Sequence, residues 1–200
     1  HILPKVLNWG CGTKPVRRQR QKVVPQAESL VLEVGIGSGL NLPYYDPKKV
    51  ERVIGLDPEE EMLSYARRAS EALPFAVEYL ALESEKIPLE RHSVDTVLMT
   101  YTLCTIADAI TALDGMRRVL RPGGRLIFCE HGCAPDDSVR RWQRRLNPIW
   151  NRIGGGCNLD RNIPELIETV GFRIDALDSM YLPGAPRFAG FNYWGSARPT

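Results

Sequence analysis

A short apolar run that leads into three glycines at alternate positions is the feature that most constrains this chain. Residues 29–34 read Ser-Leu-Val-Leu-Glu-Val, and Gly35, Gly37 and Gly39 follow. A run this short, rich in branched apolar side chains, predicts a strand buried on both faces of a parallel sheet. Glycine lets the backbone come close to a ligand. The stretch therefore predicts a strand followed by a loop that binds a nucleotide-type cofactor.

Asp57 is a carboxylate at the position where such a cofactor would bind one. Asp57 ends a second apolar run, residues 52–56, at about the distance (~20 residues) where nucleotide-binding α/β folds place a ribose-binding acid. An ionised carboxylate can accept hydrogen bonds from both ribose hydroxyl groups. Asp57 is therefore the predicted ribose ligand.

The spacing of the glycines does not favour a dinucleotide. In the pattern G-x-G-x-x-G the third glycine would fall at position 40, which is Leu40, and no Walker lysine follows the loop. An NAD-dependent oxidoreductase is therefore the weaker alternative. A glycine-rich turn that binds nothing is a second alternative, and the coincidence of Glu33 with Asp57 argues against it.

Strand-like and helix-like segments alternate from residue 30 onward. The helical patterns cover 59–73 and 108–120, and Asp160 or Asn162 is a candidate cap for a third that runs to Val170. The strand-like runs are 30–34, 52–56, 76–81, 94–99, 124–130, 172–179 and 191–198. This alternation predicts a doubly wound α/β sheet with right-handed crossovers, and 200 residues suit a single domain, 1–200.

Three segments lie outside this alternation. Residues 1–26 contain Gly10-Cys11-Gly12, which no strand precedes, and a basic stretch that predicts a solvated helix able to cover the cofactor. Residues 121–124 read Arg-Pro-Gly-Gly and predict a turn. The insertion 131–160 is interpreted as a lid or substrate-recognition segment, whose tryptophans line a pocket or pack on the sheet.

Composition narrows the class of partner. The chain has 26 basic and 24 acidic residues, a formal net charge of +2, so no nucleic-acid partner is expected. Five cysteines without a C-x-x-C pair do not form a secreted disulfide framework, which favours a cytoplasmic location. No run approaches the ~18 apolar residues of a transmembrane segment.

Several separated motifs occur in one order and resemble class I S-adenosylmethionine-dependent methyltransferases of type 11. They are residues 33–39 (Glu-Val-Gly-Ile-Gly-Ser-Gly), 55–58 (Gly-Leu-Asp-Pro), 83–88 and 120–124 (Leu-Arg-Pro-Gly-Gly). More narrowly, Thr102-Leu-Cys-Thr-Ile106, Glu130-His131, and 147–157 resemble the methyltransferase-like alkyl-thiol S-methyltransferases and their bacterial relatives. Eukaryotic members carry an amino-terminal membrane anchor, and nothing like it is expected here.

The resemblance implies a fold, a cofactor and a set of binding residues. The fold would be a mostly parallel, seven-stranded Rossmann-like sheet with an antiparallel last strand, and the cofactor would be S-adenosyl-L-methionine. Glu33 would meet the cofactor's ammonium group, Met62 and Glu83 its adenine, and Thr100 and Tyr101 its methionyl portion. The full set of implied cofactor residues is Glu33, Gly35, Gly37, Gly39, Asn41, Asp57, Pro58, Met62, Glu83, Ser84, Thr100 and Tyr101.

The catalytic candidates are His131 and Cys104, because they follow the fifth and fourth predicted strands, whose carboxyl ends face the ligand crevice. An imidazole can take up a proton near neutral pH. Cys104 is interpreted first as a core residue and second as a catalytic group. Cys129, His131 and Cys133 would share one face of a continued strand, but they offer too few ligands for structural zinc, so no metal is predicted.

Together these features predict a methyltransferase that acts on a small-molecule acceptor, with a thiol as the favoured acceptor. A phospholipid or a quinol is the alternative acceptor. A protein that binds the cofactor without catalysis is the alternative from another class, because fold does not imply function.

Overall fold

The computed structural model describes residues 12–200, and its centre is one mixed sheet of seven strands. The order across the sheet is β3-β2-β1-β4-β5-β7-β6. Neighbouring strands are parallel except β7, which is antiparallel to both β5 and β6. The strands are β1 (Ser29–Val34), β2 (Val50–Leu56), β3 (Ala76–Leu80), β4 (Val94–Thr100), β5 (Leu120–His131), β6 (Phe172–Tyr181) and β7 (Phe191–Pro199). The predicted fold is confirmed.

Helices lie between most of the strands, as the alternation predicts. They are α1 (Lys14–Val23), α2 (Glu60–Ser70), α3 (Ala109–Val119), α4 (Asp137–Ile153) and α5 (Ile163–Thr169), with 3₁₀ turns at Val24–Gln26 and Leu42–Tyr44. Asp108 caps α3, since its carboxylate accepts a hydrogen bond from the backbone N–H of Thr111 at 3.0 Å. Gly10 and Cys11, part of the glycine motif near the start, lie outside the described residues.

The central strands are buried on both faces, and successive residues alternate between two cores. On β5, Leu126 and Phe128 belong to the core that α3 and α5 cover, whereas Ile127 and Cys129 belong to the core that α1 and α2 cover. All four side chains are fully buried. Period-two alternation with apolar residues in both positions is what a sheet between two helical layers requires.

The four residues Arg121–Gly124 do not leave the sheet, as a turn would. Val94 pairs with Leu120 and Thr96 pairs with Arg125, so this stretch forms a bulge inside β5 opposite one residue of β4. A Cβ on Gly124 would lie 2.8 Å from the carbonyl oxygen of Asp95, and Gly123 has φ +84°. The glycines thus permit a bulge where a proline-glycine motif alone predicts a turn.

The insertion 131–160 is built around α4 and is fastened to the sheet by Gln143. The fully buried Gln143 accepts a hydrogen bond from the Ala134 backbone N–H at 2.9 Å and donates to the carbonyl oxygens of Gly132 and Phe188. Each polar atom of this buried amide therefore has a partner. Within the described part of the chain, no helix has both the length and the apolar character needed to cross a membrane.

The strand order places the ligand crevice. From β1 the chain runs outward through β2 and β3, and it then returns to β4 on the other side of β1. Open α/β sheets bind ligands at the carboxyl ends of the strands where the order reverses in this way. The loops after β1, β2, β4 and β5 meet at that edge.

Candidate active site

The backbone of the loop after β1 leaves room for a ligand to approach it closely. Gly35, Gly37 and Gly39 all have positive φ, at +74°, +54° and +81°. A Cβ on Gly35 would lie 2.1 Å from Oγ1 of Thr102, and one on Gly39 would lie 2.7 Å from Cδ1 of Leu42. At both positions glycine is required for conformation and for space.

Asp57 stands beside this loop at the end of β2. Its carboxylate accepts hydrogen bonds from the backbone N–H groups of Gly37 at 2.9 Å and Glu59 at 3.0 Å. Burial raises the pKa of Asp57 above its ordinary value, and these two hydrogen bonds oppose that shift. A carboxylate has about four lone-pair positions. Two of them are therefore left to accept hydrogen bonds from a ligand's hydroxyl groups.

Glu33 lies behind the loop rather than in the crevice. It is 1% exposed, and its two carboxylate oxygens accept hydrogen bonds from Asn41 Nδ2 at 2.8 Å and the Tyr45 hydroxyl at 2.6 Å. Burial raises the pKa of Glu33 to about 7, although the hydrogen bonds and the nearby Arg20 oppose the shift. Its observed partners are therefore the protein's own side chains.

Arg20 joins the site from α1. Its guanidinium donates hydrogen bonds to Asn41 Oδ1 at 2.7 Å and to Thr100 Oγ1 at 2.5 Å, and it lies 5.4 Å from the centre of the Tyr101 ring. The basic helix was predicted to be solvated, yet Arg20 is only 5% exposed. The buried residues of α1 are Gln19, Arg20 and Val23, whose spacing places them on one face of the helix. Because most side chains of this segment are polar or basic, that face does not show as an apolar pattern in the sequence.

A cavity of 520 Å³ opens between these loops. Most of the predicted cofactor residues line it: Gly35, Gly37, Asp57, Pro58, Met62, Glu83, Ser84, Thr100 and Tyr101. Glu33, Gly39 and Asn41 are not among the lining residues, although Asn41 donates hydrogen bonds to Glu33 and to the lining residue Thr100. Sequence reasoning did not include further lining residues, namely Arg20, Ile36, Ser38, Leu40, Glu59, Glu85, Thr102, Thr105, Ile106, Ala107 and Gly155.

The loop after β4 forms one wall of the cavity. Tyr101 has φ +57°, a conformation that is uncommon for a residue with a side chain. The fully buried Glu130 holds the next residues in place, because its carboxylate accepts hydrogen bonds from the backbone N–H of Thr102 at 2.9 and 3.0 Å. Burial raises the pKa of Glu130 to about 7. Such strain next to a binding cavity is typical of a functional loop.

Both catalytic candidates lie just outside the cavity, in a cluster with Cys157. The ligand atoms of Cys104, His131 and Cys157 all lie within 4.8 Å of one another, and His131 Nε2 is 3.5 Å from Cys157 Sγ. The cysteine grouped with His131 is neither Cys129 nor Cys133, because β5 ends at His131 and the glycine-rich loop after α4 returns Cys157 to it.

The pKa values of Cys157 and His131 in this cluster are shifted in opposite directions. Hydrogen bonding to Cys104 and then the hydrogen bond and charge of His131 lower the pKa of the Cys157 thiol, against the effect of burial. Burial acts to lower the pKa of His131, but the interactions with Cys157 and Glu130 outweigh it and raise that pKa. These shifts favour a thiolate beside an imidazolium.

Backbone contacts fix the position of Cys157 relative to the cavity. Asn158 donates hydrogen bonds from its backbone N–H and its Nδ2 to the carbonyl oxygen of Cys104, at 2.9 and 3.0 Å. Asn151 Nδ2 donates to the Gly156 carbonyl oxygen at 2.7 Å. The glycine-rich loop is thereby joined to the loop after β4. Trp142 and Trp150 do not line this cavity; Trp142 is 56% exposed, and Trp150 packs edge-on against Phe188.

A glycine cradle, a ribose-type acid and a cavity at the reversal of strand order define a nucleoside-binding α/β enzyme. The family model for the type 11 methyltransferase domain matches residues 32–128. The thiol S-methyltransferase TMT1B of Rattus norvegicus is 32% identical over 170 residues, covering 82% of this chain and 70% of that protein. This chain therefore belongs to the class I S-adenosylmethionine-dependent methyltransferases, and S-adenosylmethionine is its cofactor.

A second relative has a different acceptor in its name. The demethylmenaquinone methyltransferase of Thermus thermophilus is 30% identical over 173 residues, covering 84% of this chain and 79% of that protein. Among solved structures, a SAM-dependent methyltransferase from Methanosarcina mazei superposes with a TM-score of 0.65 at 19% identity, covering 85% of this chain and 92% of that one. The [4+2]-cyclase SpnF superposes with a TM-score of 0.70 at 14% identity, covering 92% and 81%. At these identities the structures show the fold alone.

We predict that Gly35→Ala abolishes measurable binding of S-adenosylhomocysteine, the demethylated cofactor. The added Cβ would overlap Thr102 in the wall of the cavity. The alanine backbone would also have to adopt φ +74°, which strains a residue with a side chain. Isothermal titration calorimetry measures the affinity. Gly184→Ala is the matched control, because Gly184 has φ +79° and no atom within 4 Å of an added Cβ. Equal affinities of the two variants would contradict the assigned role of Gly35.

Proposed function

We propose that this methyltransferase methylates the sulfur atom of a small-molecule thiol. The observation that carries the proposal is the cluster of Cys104, His131 and Cys157, whose near neighbours in the chain, Thr105 and Gly155, line the cavity. Thr105, Ile106, Ala107 and Gly155 line the cavity, and we assign the part that they line to the acceptor. The acidic residues Asp57 and Glu83 also line the cavity, and we assign their part to the cofactor. The name of the TMT1B relative supports the same acceptor class.

Three groups of lining residues fit the three parts of the cofactor. The positive-φ glycines leave room for its amino-acid portion, and the remaining lone pairs of Asp57 suit its ribose hydroxyl groups. We assign Met62 and Pro58 to the adenine face, and Glu83 and Ser84 to the adenine amino group. Thr100 and Tyr101 are assigned to the methionyl portion.

Arg20 completes this assignment. Its Nε is buried and has no hydrogen-bond partner among the described residues, while the same side chain lines the cavity. A buried guanidinium donor without a partner costs free energy unless a ligand supplies an acceptor. We assign Arg20 to the carboxylate of the cofactor's amino-acid portion, and residues 14–26 therefore act as a helical cover.

The reaction requires little acid–base chemistry from the protein. When bound, S-adenosylmethionine supplies an electrophilic methyl group on a sulfonium. A carbon–sulfur bond forms at the acceptor as the methyl–sulfonium bond breaks, and the thiol proton is released, so the products are a thioether, S-adenosylhomocysteine and a proton. The protein's part is to hold the acceptor close and in line, and to exclude water.

Residues 131–160 are assigned to the acceptor side of the cavity. Gly155 lines the cavity and follows α4, while Gln143 and Asn158 attach this segment to the sheet and to the loop after β4. His131 begins the segment. We assign to His131 the orientation of the acceptor thiol, and the positive charge of its imidazolium favours the ionised form of that thiol, with Cys104 packing beside it.

A quinol is the second candidate acceptor, because the demethylmenaquinone methyltransferase is nearly as similar to this chain. A quinol is a weaker acid than a thiol, and it therefore needs a stronger base. A phospholipid acceptor and a role limited to cofactor binding are the remaining alternatives, since the SpnF fold serves a different reaction.

The acceptor class is tested by incubating the protein with methyl-labelled S-adenosylmethionine and a panel of alkyl thiols, phenols, quinols and phospholipid vesicles. We expect label in the thioether product of the alkyl thiols, measured by mass spectrometry. A faster transfer to quinols or phospholipids would overturn the thiol proposal. Binding of S-adenosylhomocysteine without transfer to any member would favour a non-catalytic role.

His131→Ala should lower turnover on an alkyl thiol by about 10- to 100-fold, at the low end of general-base effects, because a thiol is partly ionised without help. The affinity for S-adenosylhomocysteine should stay within about twofold, since His131 does not line the cofactor's end of the cavity. Steady-state kinetics and calorimetry give both quantities. His92→Ala is the control, because His92 contacts the Leu120 carbonyl oxygen at the opposite edge of the sheet. Unchanged turnover in His131→Ala would remove it from the catalytic assignment.

Arg20→Lys should weaken binding of S-adenosylhomocysteine by about 10- to 100-fold, the effect of losing a charge-assisted hydrogen bond of ~1.5–3 kcal/mol. Lysine keeps the charge but cannot reach Asn41, Thr100 and a ligand carboxylate together. Arg17→Lys is the control on the same helix, where the arginine donates to the Tyr44 hydroxyl at the exposed surface. Equal affinities in the two variants would assign Arg20 a purely structural role.

A further inference from the structure

The cluster of two cysteines and one histidine has the composition of a metal site that keeps one position open. Zinc sites with three protein ligands and a fourth, exchangeable position include sets of two cysteines and one histidine. Cys104 and His131 are buried and Cys157 is half-buried, so bulk water does not surround the three ligand atoms. Such burial strengthens metal–thiolate interactions.

The distances are close to those that a metal ion requires. With metal–sulfur and metal–nitrogen distances of ~2.0–2.3 Å, two ligand atoms of a tetrahedral zinc ion lie about 3.3–3.8 Å apart. His131 Nε2 is 3.5 Å from Cys157 Sγ, and Cys104 Sγ lies within 4.8 Å of both atoms. The upper bound of 4.8 Å exceeds this range by about an ångström, so a shift of Cys104 Sγ of at most that size would complete the geometry.

The surroundings also orient the ligands. The imidazole directs its Nε2 at Cys157 Sγ, 3.5 Å away. Glu130 fixes the loop that carries Cys104, and Asn158 joins the loop of Cys157 to the Cys104 carbonyl oxygen. Three ligands from distant parts of the sequence are thus held together by hydrogen bonds that do not use their metal-binding atoms.

The position of the cluster relates it to the acceptor. Thr105 follows Cys104, Gly155 precedes Cys157 by two residues, and both Thr105 and Gly155 line the acceptor end of the cavity. An ion bound by the three side chains would therefore lie next to the space assigned to the acceptor thiol.

We propose that Cys104, His131 and Cys157 bind a zinc-type divalent ion whose open fourth position takes the sulfur of the acceptor. The choice of acceptor rests on the thiol methyltransferase function proposed above, whereas the binding of the ion does not. As the acceptor sulfur coordinates the ion, its S–H proton passes to solvent, and the sulfur stays a nucleophilic thiolate. His131 then serves as a ligand, and the ion lowers the pKa of the acceptor.

The ion is tested without activity, on the whole protein purified with a reducing agent and freed of metal. Added Co²⁺ should bind at one equivalent and give the visible bands of a tetrahedral site with sulfur-to-cobalt charge transfer, and Zn²⁺ should displace it. Cys157→Ser should lose at least tenfold in affinity for Co²⁺ and lose most of the charge-transfer band. Cys133→Ser is the matched control, since Cys133 lies two residues after His131 but outside the cluster.

The outcomes separate the site from the function. Absence of stoichiometric Co²⁺ binding by the wild-type protein, or equal binding by Cys157→Ser and Cys133→Ser, would overturn the metal site. Binding of S-adenosylhomocysteine by each variant shows that it is folded, and His131→Asn provides a second ligand variant if Cys157→Ser does not fold. Co²⁺ binding combined with no thiol methylation would leave the site standing and overturn the acceptor. Undiminished thiol methylation by the metal-free protein would overturn the role of the ion alone.

Discussion

The hydrogen bonds to the buried carboxylate of Glu33 are the interactions on which the structure around the glycine loop depends. A carboxylate that is 1% exposed is costly unless its oxygens are hydrogen-bonded, and Asn41 and Tyr45 supply both bonds. Asn41 in turn bonds to Thr100 and accepts a bond from Arg20. One network thus joins β1, the glycine loop, β4 and the covering helix. Removal of any member would leave a buried polar group without its partner.

The sheet and the cofactor loop could be predicted from the sequence because their determinants are local. The apolar run before Gly35 identifies a buried strand, and the alternation of strands and helices defines the topology. Motif order then identified Asp57, Glu83 and Ser84, which line the cavity. The prediction of a turn at residues 121–124 is wrong because the pairing of β4 with β5 keeps that stretch in the sheet. Strand pairing depends on residues far apart in the sequence, so a local motif does not reveal it.

The parts of the site that escaped prediction depend on distant contacts. Arg20 belongs to a helix whose basic composition suggests solvent exposure, and only packing against the loop after β1 buries it. Cys157 reaches His131 because α4 reverses the chain and the Gly154–Gly156 turn follows it. Neither a spacing nor a period in the sequence records such a return. The cysteine that meets His131 is therefore one that lies far from it in the sequence.

The loop after β4, which Glu130 holds in place, can couple the binding of the two substrates. Thr100 and Tyr101, which we assign to the cofactor, and Thr105 and Ala107, which we assign to the acceptor, all line the cavity. Because one continuous segment serves both substrates, any adjustment of this segment on binding of the first substrate alters the affinity for the second. Linkage makes that effect equal in both directions. The dissociation constant of each substrate would then depend on whether the other is bound.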